Sequence, residues 1–147
     1  AALGGAFLYN PKVSYTPVIE HLADIRGMRG APVRQGYAKC SVLVVDERSI
    51  ITQDAGIARA ARKIGLDVLE IKPGYVALDG FEYGFLGGAG FKSAADIMAF
   101  TGTLAAHPDR ARILAFLSAR GVNAVYLTGL PVFDIGSAIP ISEQNLP

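Results

Sequence analysis

The chain carries a six-residue near-repeat that constrains its fold more than any other feature. VRQGYA at positions 33–38 recurs as IKPGYV at positions 71–76, a displacement of 38 residues. Each copy follows a stretch with helical periodicity and precedes a stretch with strand character. Repeats of this length indicate a copied supersecondary unit that buries its apolar face only against neighbouring units. The sequence therefore predicts a modular fold.

Hydrophobic periodicity and turn signals predict that strands and helices alternate along the chain. Helices are expected to begin at Thr16, Asp54 and Pro108-Asp109 and to end before Gly27, Gly65 and Gly121. The first helix is expected to bury a stripe of Val18, Leu22 and Ile25. Strands are expected over residues 5–9, 41–46, 49–52, 67–71, 83–86, 97–101 and 122–127, with a last strand starting near residue 134.

This order of elements predicts an α/β fold made of ββαβ modules within one domain. The modules cover about residues 1–40, 41–78 and 79–147, and the first one is clipped. Apolar runs such as residues 41–45 suit strands that are covered on both faces, with helices outside. The glycine-rich segment 87–90 lacks the Gly-Lys-Ser/Thr ending of a P-loop, so a close backbone approach or a turn explains it better.

Composition excludes several classes of function. The chain is 51% hydrophobic and 18% charged, as in an ordered globular protein, and its net charge of +1 is scattered along the sequence. This pattern predicts no binding to nucleic acid or membranes, and no apolar run approaches the ~18 residues of a membrane span. Two distant histidines and one cysteine make no metal cluster, and no cofactor is expected. A lone cysteine suits the reducing cytoplasm, which is the expected location.

The stretch from Val33 to Ile139 resembles the carboxyl-terminal part of an uncharacterised bacterial family of unknown function. The resemblance rests on the motifs GYAKCS (36–41), VDE (45–47), IT (51–52), YGF (83–85), GG (87–88), HPD (107–109) and DIGS (134–137). Members of that family look longer at the amino end, so this chain is expected to be the carboxyl-terminal portion of a longer protein.

The modular order and the setting of Cys40 before a strand also resemble the pentein fold. That fold, found in dimethylarginine dimethylaminohydrolase and in arginine and agmatine deiminases, has five ββαβ modules around a pseudo-fivefold axis. The resemblance implies a pentein-like propeller with about three modules, an incomplete ring. Since an open ring leaves a strand edge and an apolar flank uncovered, we expect the chain to associate with a missing amino-terminal segment or with another chain.

Cys40 is the candidate nucleophile. A thiolate beside Lys39 and near Arg34 could have a lowered pKa and attack an amidine or amide carbon. The alternative is that Cys40 is a small buried hydrophobic residue, since free cysteine is among the most buried residue types. The pentein resemblance favours the nucleophile, although in penteins the cysteine belongs to the last module and here two modules follow it.

Three further residues complete the candidate site. Asp134 is expected at the third module's counterpart of the Cys40 position, and Glu82 at the equivalent position between them. If these positions converge on one cavity, the two carboxylates could bind a guanidinium group. His107, just before a helix, could move protons. A purely structural role is the alternative for His107 and for the Asp134 and Glu82 carboxylates.

Two functions remain open at this point. The first is a cysteine-dependent hydrolase or transferase for a small guanidine, amidine or amide, with Cys40 and His107 as catalytic residues and Asp134 and Glu82 as binding residues. The second is a non-catalytic pentein-like protein for binding or assembly, with Cys40 buried and structural. The two differ in the accessibility and the pKa of the Cys40 thiol.

Overall fold

The computed structural model describes residues 1–141, so the last six residues of the predicted third module lie outside it. The strands are β1 (Ala2–Leu3), β2 (Ala6–Tyr9), β3 (Arg29–Pro32), β4 (Val42–Val44), β5 (Ser49–Thr52), β6 (Asp67–Glu70), β7 (Gly90–Ala94), β8 (Ile97–Phe100) and β9 (Asn123–Tyr126). The helices are α1 (Thr16–Glu20), continued by a π-helical turn (His21–Ile25), α2 (Ala55–Lys63), α3 (Leu86–Ala89) and α4 (Arg110–Ser118). None of the helices among these residues is long and apolar enough to cross a membrane.

The strands form three separate three-stranded sheets, in the orders β1-β2-β3, β4-β5-β6 and β7-β8-β9. In each sheet the first two strands make an antiparallel hairpin, and a helical connection then returns the chain to a parallel third strand. A parallel partner requires such a crossover, which explains why α1, α2 and α4 lie where they do. The predicted α/β fold of three ββαβ modules is confirmed, and we refer to these as modules 1, 2 and 3.

The three modules share one register. The residue after each third strand donates its N–H to the last residue of the second strand: Val33 to Tyr9, Ile71 to Thr52, and Leu127 to Phe100. A glycine with positive φ precedes each third strand by two residues, at Gly27, Gly65 and Gly121. From these glycines through the third strands, positions in module 2 therefore lie 38 residues after those in module 1, and positions in module 3 lie 56 residues further on. The sequence near-repeat marks the same place in modules 1 and 2.

Two apolar cores lie between the modules rather than inside them. The side chains of α2, such as Ile57 and Ala61, pack against Leu8 and Ala31 of the first sheet. In the same way, α4 packs on the second sheet, and the core there includes Ile51, Ile71, Ile113 and Leu117. Helices α2 and α4 thus each cover the sheet of the preceding module. The apolar sequences of the strands predict such covered sheet faces.

Three predicted elements differ from the structure. The stripe predicted on the first helix is not buried: α1 and its π-helical turn bury no residue, and Val18 and Ile25 are exposed because no sheet among residues 1–141 covers them. Residues 83–86 form no strand, since the Gly84 N–H donates to Val76 and its carbonyl accepts from the Gln53 side chain. Residues 131–141 contain only isolated bridges, so Asp134 does not begin a strand.

Candidate functional site

A cleft of about 560 Å³ opens where the segments after the third strands of the three modules meet. Its walls come from the end of the near-repeat in module 1, from the loop that precedes α3, and from the loop after β9. The lining residues are Tyr37, Cys40, Leu78, Phe81, Glu82, Tyr83, Phe85, Asp134, Ile135 and Gly136. Cys40, Glu82 and Asp134 therefore share one cavity, whereas His107 does not line it.

The module register explains why these residues meet. Cys40 lies seven residues after Val33, and Asp134 lies seven residues after Leu127, so the two are counterparts in modules 1 and 3. The same count from Ile71 leads to Leu78, which also lines the cleft. Leu78, not Glu82, is therefore the counterpart in module 2, and the predicted equivalence of Glu82 is wrong.

The Cys40 thiol is partly exposed and acts as a hydrogen-bond donor. Its Sγ donates to the carbonyl oxygen of Gly136, at a distance of 2.6 Å between the two atoms. Burial raises the pKa of the Cys40 thiol, the nearby Asp134 carboxylate raises it further, and Lys39 opposes these effects only in part. The expectation of a lowered pKa is therefore wrong, because burial and Asp134 raise the pKa of the Cys40 thiol above its usual value.

The Asp134 carboxylate is buried and held by backbone groups. Its Oδ2 accepts from the N–H of Phe85 at 2.8 Å, and its Oδ1 accepts from the N–H of Gly136 at 2.7 Å. Its own N–H donates to Ala77, so the main chain ties it to module 2 as well. A carboxylate oxygen can accept more than one hydrogen bond, which leaves Asp134 acceptor capacity toward the cleft.

Glycines make room for the buried Asp134 carboxylate. A Cβ on Gly88 would overlap the Asp134 Oδ1, and one on Gly84 would lie 2.5 Å from the Asp134 Cβ. A Cβ on Gly87 would lie 2.6 Å from the Cys40 carbonyl oxygen. The predicted close backbone approach in the glycine-rich segment is confirmed, and it brings α3 against both candidate residues of the cleft.

The rest of the cleft is mostly apolar and aromatic. Tyr37 and Phe81 are exposed at its rim, while Tyr83 and Phe85 are half-buried. The Glu82 side chain is exposed and makes no hydrogen bond or ion pair within residues 1–141. None of the lining residues is a lysine or an arginine, so the fixed charge of the cleft wall comes from two carboxyl groups.

His107 is placed elsewhere, buried at the start of α4. Its Nδ1 accepts from the N–H of Asp109 at 3.0 Å, and its ring packs on Tyr75 at a centroid distance of 5.3 Å. Burial lowers the pKa of His107, although Asp109 and the backbone of Lys72 favour the protonated ring. The buried Nε2 of His107 has no hydrogen-bond partner within residues 1–141.

The surroundings of His107 have a structural role. The Asp109 carboxylate accepts from the N–H of Lys72 at 2.8 Å and from Arg112 at 2.6 Å, and these hydrogen bonds lower the pKa of Asp109. The group therefore joins the second copy of the near-repeat to α4. His107 does not meet Cys40 in the cleft, so the predicted proton transfer between them has no support in this geometry.

Several lining residues were missed by sequence reasoning, chiefly Leu78, Phe81, Tyr83 and Phe85. Leu78 could be identified from the sequence. The glycines at 27, 65 and 121 are spaced by 38 and 56 residues, and the same spacings lead from Cys40 to Leu78 and on to Asp134. The aromatic residues have no counterpart in module 1. They lie in the segment between β6 and β7, which is longer than its counterpart between β3 and β4, and the folded loop brings them to the cleft.

Comparisons with known proteins agree with this architecture. C. jejuni agmatine deiminase is similar in structure, with a TM-score of 0.55 and 13% sequence identity over 84% of this chain and 46% of that one. This chain therefore spans less than half of the length of that enzyme, and the similarity shows a pentein-like fold, as predicted. A search of curated proteins found no match.

The family is shown by the sequence itself. The sequence model of DUF6873, described as a family of unknown function, matches residues 1–139, which is nearly the whole chain. The predicted membership of an uncharacterised family is thereby confirmed. The chain belongs to the DUF6873 family and has a pentein-like fold.

Proposed function

We propose that the cleft binds a small molecule with a planar cationic group, a guanidine or an amidine, and that Cys40 is the nucleophile. The observation that carries the proposal is the cavity itself, which holds a thiol and two carboxyl groups against an apolar wall. A planar cation can donate hydrogen bonds to a pair of carboxylates while its apolar body packs on the wall.

The charge of the lining supports a cationic ligand. Glu82 and Asp134 carry the only charges on the lining residues, and Tyr37 and Phe81 offer ring faces on which a cation is stabilised. Lys39 is close enough to act on the Cys40 thiol but does not line the cleft. A ligand carboxylate would find no cationic partner in the lining, so we expect agmatine to bind more tightly than arginine.

A bound cation would also prepare Cys40 for reaction. The pKa of the thiol is raised by burial and by the Asp134 charge, and a guanidinium group beside both would oppose the second effect and lower the pKa. In the reaction a bond forms between Sγ and the guanidine carbon, the bond from that carbon to a terminal nitrogen breaks, and ammonia leaves with the thiol proton. Water then cleaves the S–C bond, which restores the thiol and completes a hydrolysis.

The second candidate is a cleft that binds the same cation without reacting. Two observations favour it: the Cys40 proton is held by the Gly136 carbonyl, and His107 lies outside the cleft. No histidine within the described residues lines the cleft to accept the thiol proton. Binding and reaction are therefore tested separately.

Binding is tested by isothermal titration calorimetry with agmatine, benzamidine and arginine. We expect saturable binding of agmatine or benzamidine, and weaker binding of arginine. Glu82→Gln should weaken agmatine binding about tenfold, or ~1.4 kcal/mol, because it removes one of two attractive charges. Glu20→Gln, an exposed residue on α1, is the matched control and should change nothing. An affinity that is unaltered by Glu82→Gln would place the ligand elsewhere.

Reaction is tested by ammonia release from the ligands that bind. Turnover that disappears in Cys40→Ser, with binding retained, would support the nucleophile. Binding without turnover in the unmodified chain would favour the non-catalytic candidate. If none of the three cations binds, both candidates fall.

A further inference from the structure

The residue after the second strand of each module has a side chain that hydrogen-bonds to the main chain. This residue is Asn10 in module 1, Gln53 in module 2 and Thr101 in module 3. In each case the partner lies in the segment that follows the third strand of the same module. Those three segments meet at the cleft, so one position of the module holds main-chain groups of the cleft walls in place.

Gln53 holds the loop that donates to the Asp134 carboxylate. Its Nε2 donates to the carbonyl oxygen of Gly84 at 3.0 Å. The next residue, Phe85, donates its N–H to the Asp134 Oδ2 at 2.8 Å. Gly84 itself packs closely on Asp134, because a Cβ on Gly84 would lie 2.5 Å from the Asp134 Cβ. The Gln53 amide therefore fixes one of the two N–H groups that orient the carboxylate.

Thr101 holds the residue that precedes Asp134. Its hydroxyl donates to the carbonyl oxygen of Phe133 at 2.6 Å and accepts from the N–H of Phe133 at 3.2 Å. Thr101 is buried, and its own N–H donates to Ala89 at the end of α3. Asp134 is thus held from its own side by Thr101 and from the module 2 side by Gln53.

The counterpart in module 1 makes the same kind of bond at another place. The Asn10 Nδ2 donates to the carbonyl oxygen of Arg34 at 2.9 Å, and its Oδ1 accepts from the N–H of Lys12 at 2.9 Å. Arg34 does not line the cleft, and Asn10 bonds to neither Asp134 nor its neighbours within residues 1–141. Asn10 therefore offers a matched control for the other two residues.

We propose that Gln53 and Thr101 are positioning residues, which orient the Asp134 carboxylate toward the cleft. Neither side chain is among those that line the cleft, so both act through the main chain beside Asp134 or beside its donor. The effect on a bound cation rests on the proposed function, whereas the effect on Cys40 does not. The Asp134 charge raises the pKa of the Cys40 thiol, and the placement of the carboxylate can therefore be measured through that pKa.

Two variants that remove the polar groups at similar side-chain size test the proposal. In Thr101→Val and in Gln53→Met, the apparent pKa of Cys40, measured by iodoacetamide alkylation against pH, should fall in the same direction as in Asp134→Asn and by less. Thr101→Ser keeps the hydroxyl and should restore the pKa of the unmodified chain. Asn10→Leu should lower stability in urea denaturation and leave the pKa of Cys40 unchanged.

A double-mutant cycle separates the Asp134 charge from a looser loop. Greater exposure of Cys40 would also lower its pKa. If the two residues act through Asp134, Thr101→Val and Gln53→Met should have little further effect in the Asp134→Asn background. A fall of equal size in both backgrounds would assign them to the burial of Cys40 and overturn the proposal. Gln53 is only half-buried, so Gln53→Met decides the outcome if circular dichroism shows Thr101→Val to be unfolded.

Titration with agmatine keeps this proposal apart from the proposed function. If the unmodified chain binds agmatine, Gln53→Met and Thr101→Val should weaken binding about threefold to tenfold, and Asn10→Leu should not. If the unmodified chain does not bind agmatine, the proposed function fails, and the pKa of Cys40 alone decides the positioning role. A pKa of Cys40 that is the same in both variants as in the unmodified chain would refute that role.

Discussion

Replacing Asp134 with asparagine tests how the cleft is built. The carboxylate accepts two backbone hydrogen bonds, from Phe85 and Gly136, in a buried setting. Asparagine keeps one oxygen that accepts a hydrogen bond, but its NH2 group faces the second backbone N–H. Two donors then face each other, and neither has an acceptor. The lost charge-assisted bond and the unsatisfied N–H together cost about 3 kcal/mol, since each contributes roughly 1–3 kcal/mol.

Two assays read out this substitution. Urea denaturation should show Asp134→Asn unfolding at a lower midpoint with an unchanged m value, and the melting temperature should fall by about 6–12 °C, at ~2–4 °C per kcal/mol. The second assay is the pH dependence of Cys40 alkylation, because the Asp134 charge raises the pKa of the thiol. Removing that charge should lower the pKa of Cys40, while burial should keep it above the value for a free thiol.

Glu82→Gln is the matched control for both assays. Glu82 faces the same cleft but is exposed and makes no hydrogen bond within the described residues, so its free energy of unfolding should change by less than about 0.5 kcal/mol. If Asp134→Asn costs as little as Glu82→Gln, the carboxylate does not hold the loops together. If the pKa of Cys40 is the same in both, the two groups do not interact as described.

Two further substitutions test the packing around the site. Gly88→Ala should cost about 1–3 kcal/mol in urea denaturation because its Cβ would overlap the Asp134 carboxylate, whereas Gly129→Ala, with open space around it, should be close to neutral. Burial lowers the pKa of His107, so the unfolded chain binds a proton that the native chain does not, and stability should fall as pH drops below about 6.5. His107→Asn, which can still accept from the Asp109 N–H, should flatten that dependence between pH 7.5 and about 5; an unchanged slope would assign it to another group.

The modular order could be predicted because its signals are local. Apolar periodicity, helix-ending glycines and the repeated Gly-Tyr segment each depend on neighbouring residues alone, and together they predict the ββαβ order that the structure has. The first helix shows the limit of this reasoning. Of the predicted stripe only Leu22 is half-buried, together with Ile19 and Ala23, whereas Val18 and Ile25 are exposed.

Only the residues of the site that occupy equivalent positions in the modules could be predicted from the sequence. Asp134 was placed opposite Cys40 because both occupy the same register position, and the structure brings them to one cleft. Glu82 reaches the cleft by a different route, on the longer segment before α3, whose turns are held by hydrogen bonds to distant residues. The burial of His107 against Tyr75 is likewise a long-range contact that no local pattern encodes.

The alkylation of Cys40 by iodoacetamide, measured against pH with and without agmatine, tests whether a cation binds beside the thiol. The account predicts slow labelling of the free chain with an apparent pKa above that of a free thiol, because burial and Asp134 both disfavour the thiolate. Bound agmatine should lower that apparent pKa, and Glu82→Gln should weaken the effect. A thiol whose labelling is the same with and without agmatine at every pH would contradict a cation site beside Cys40.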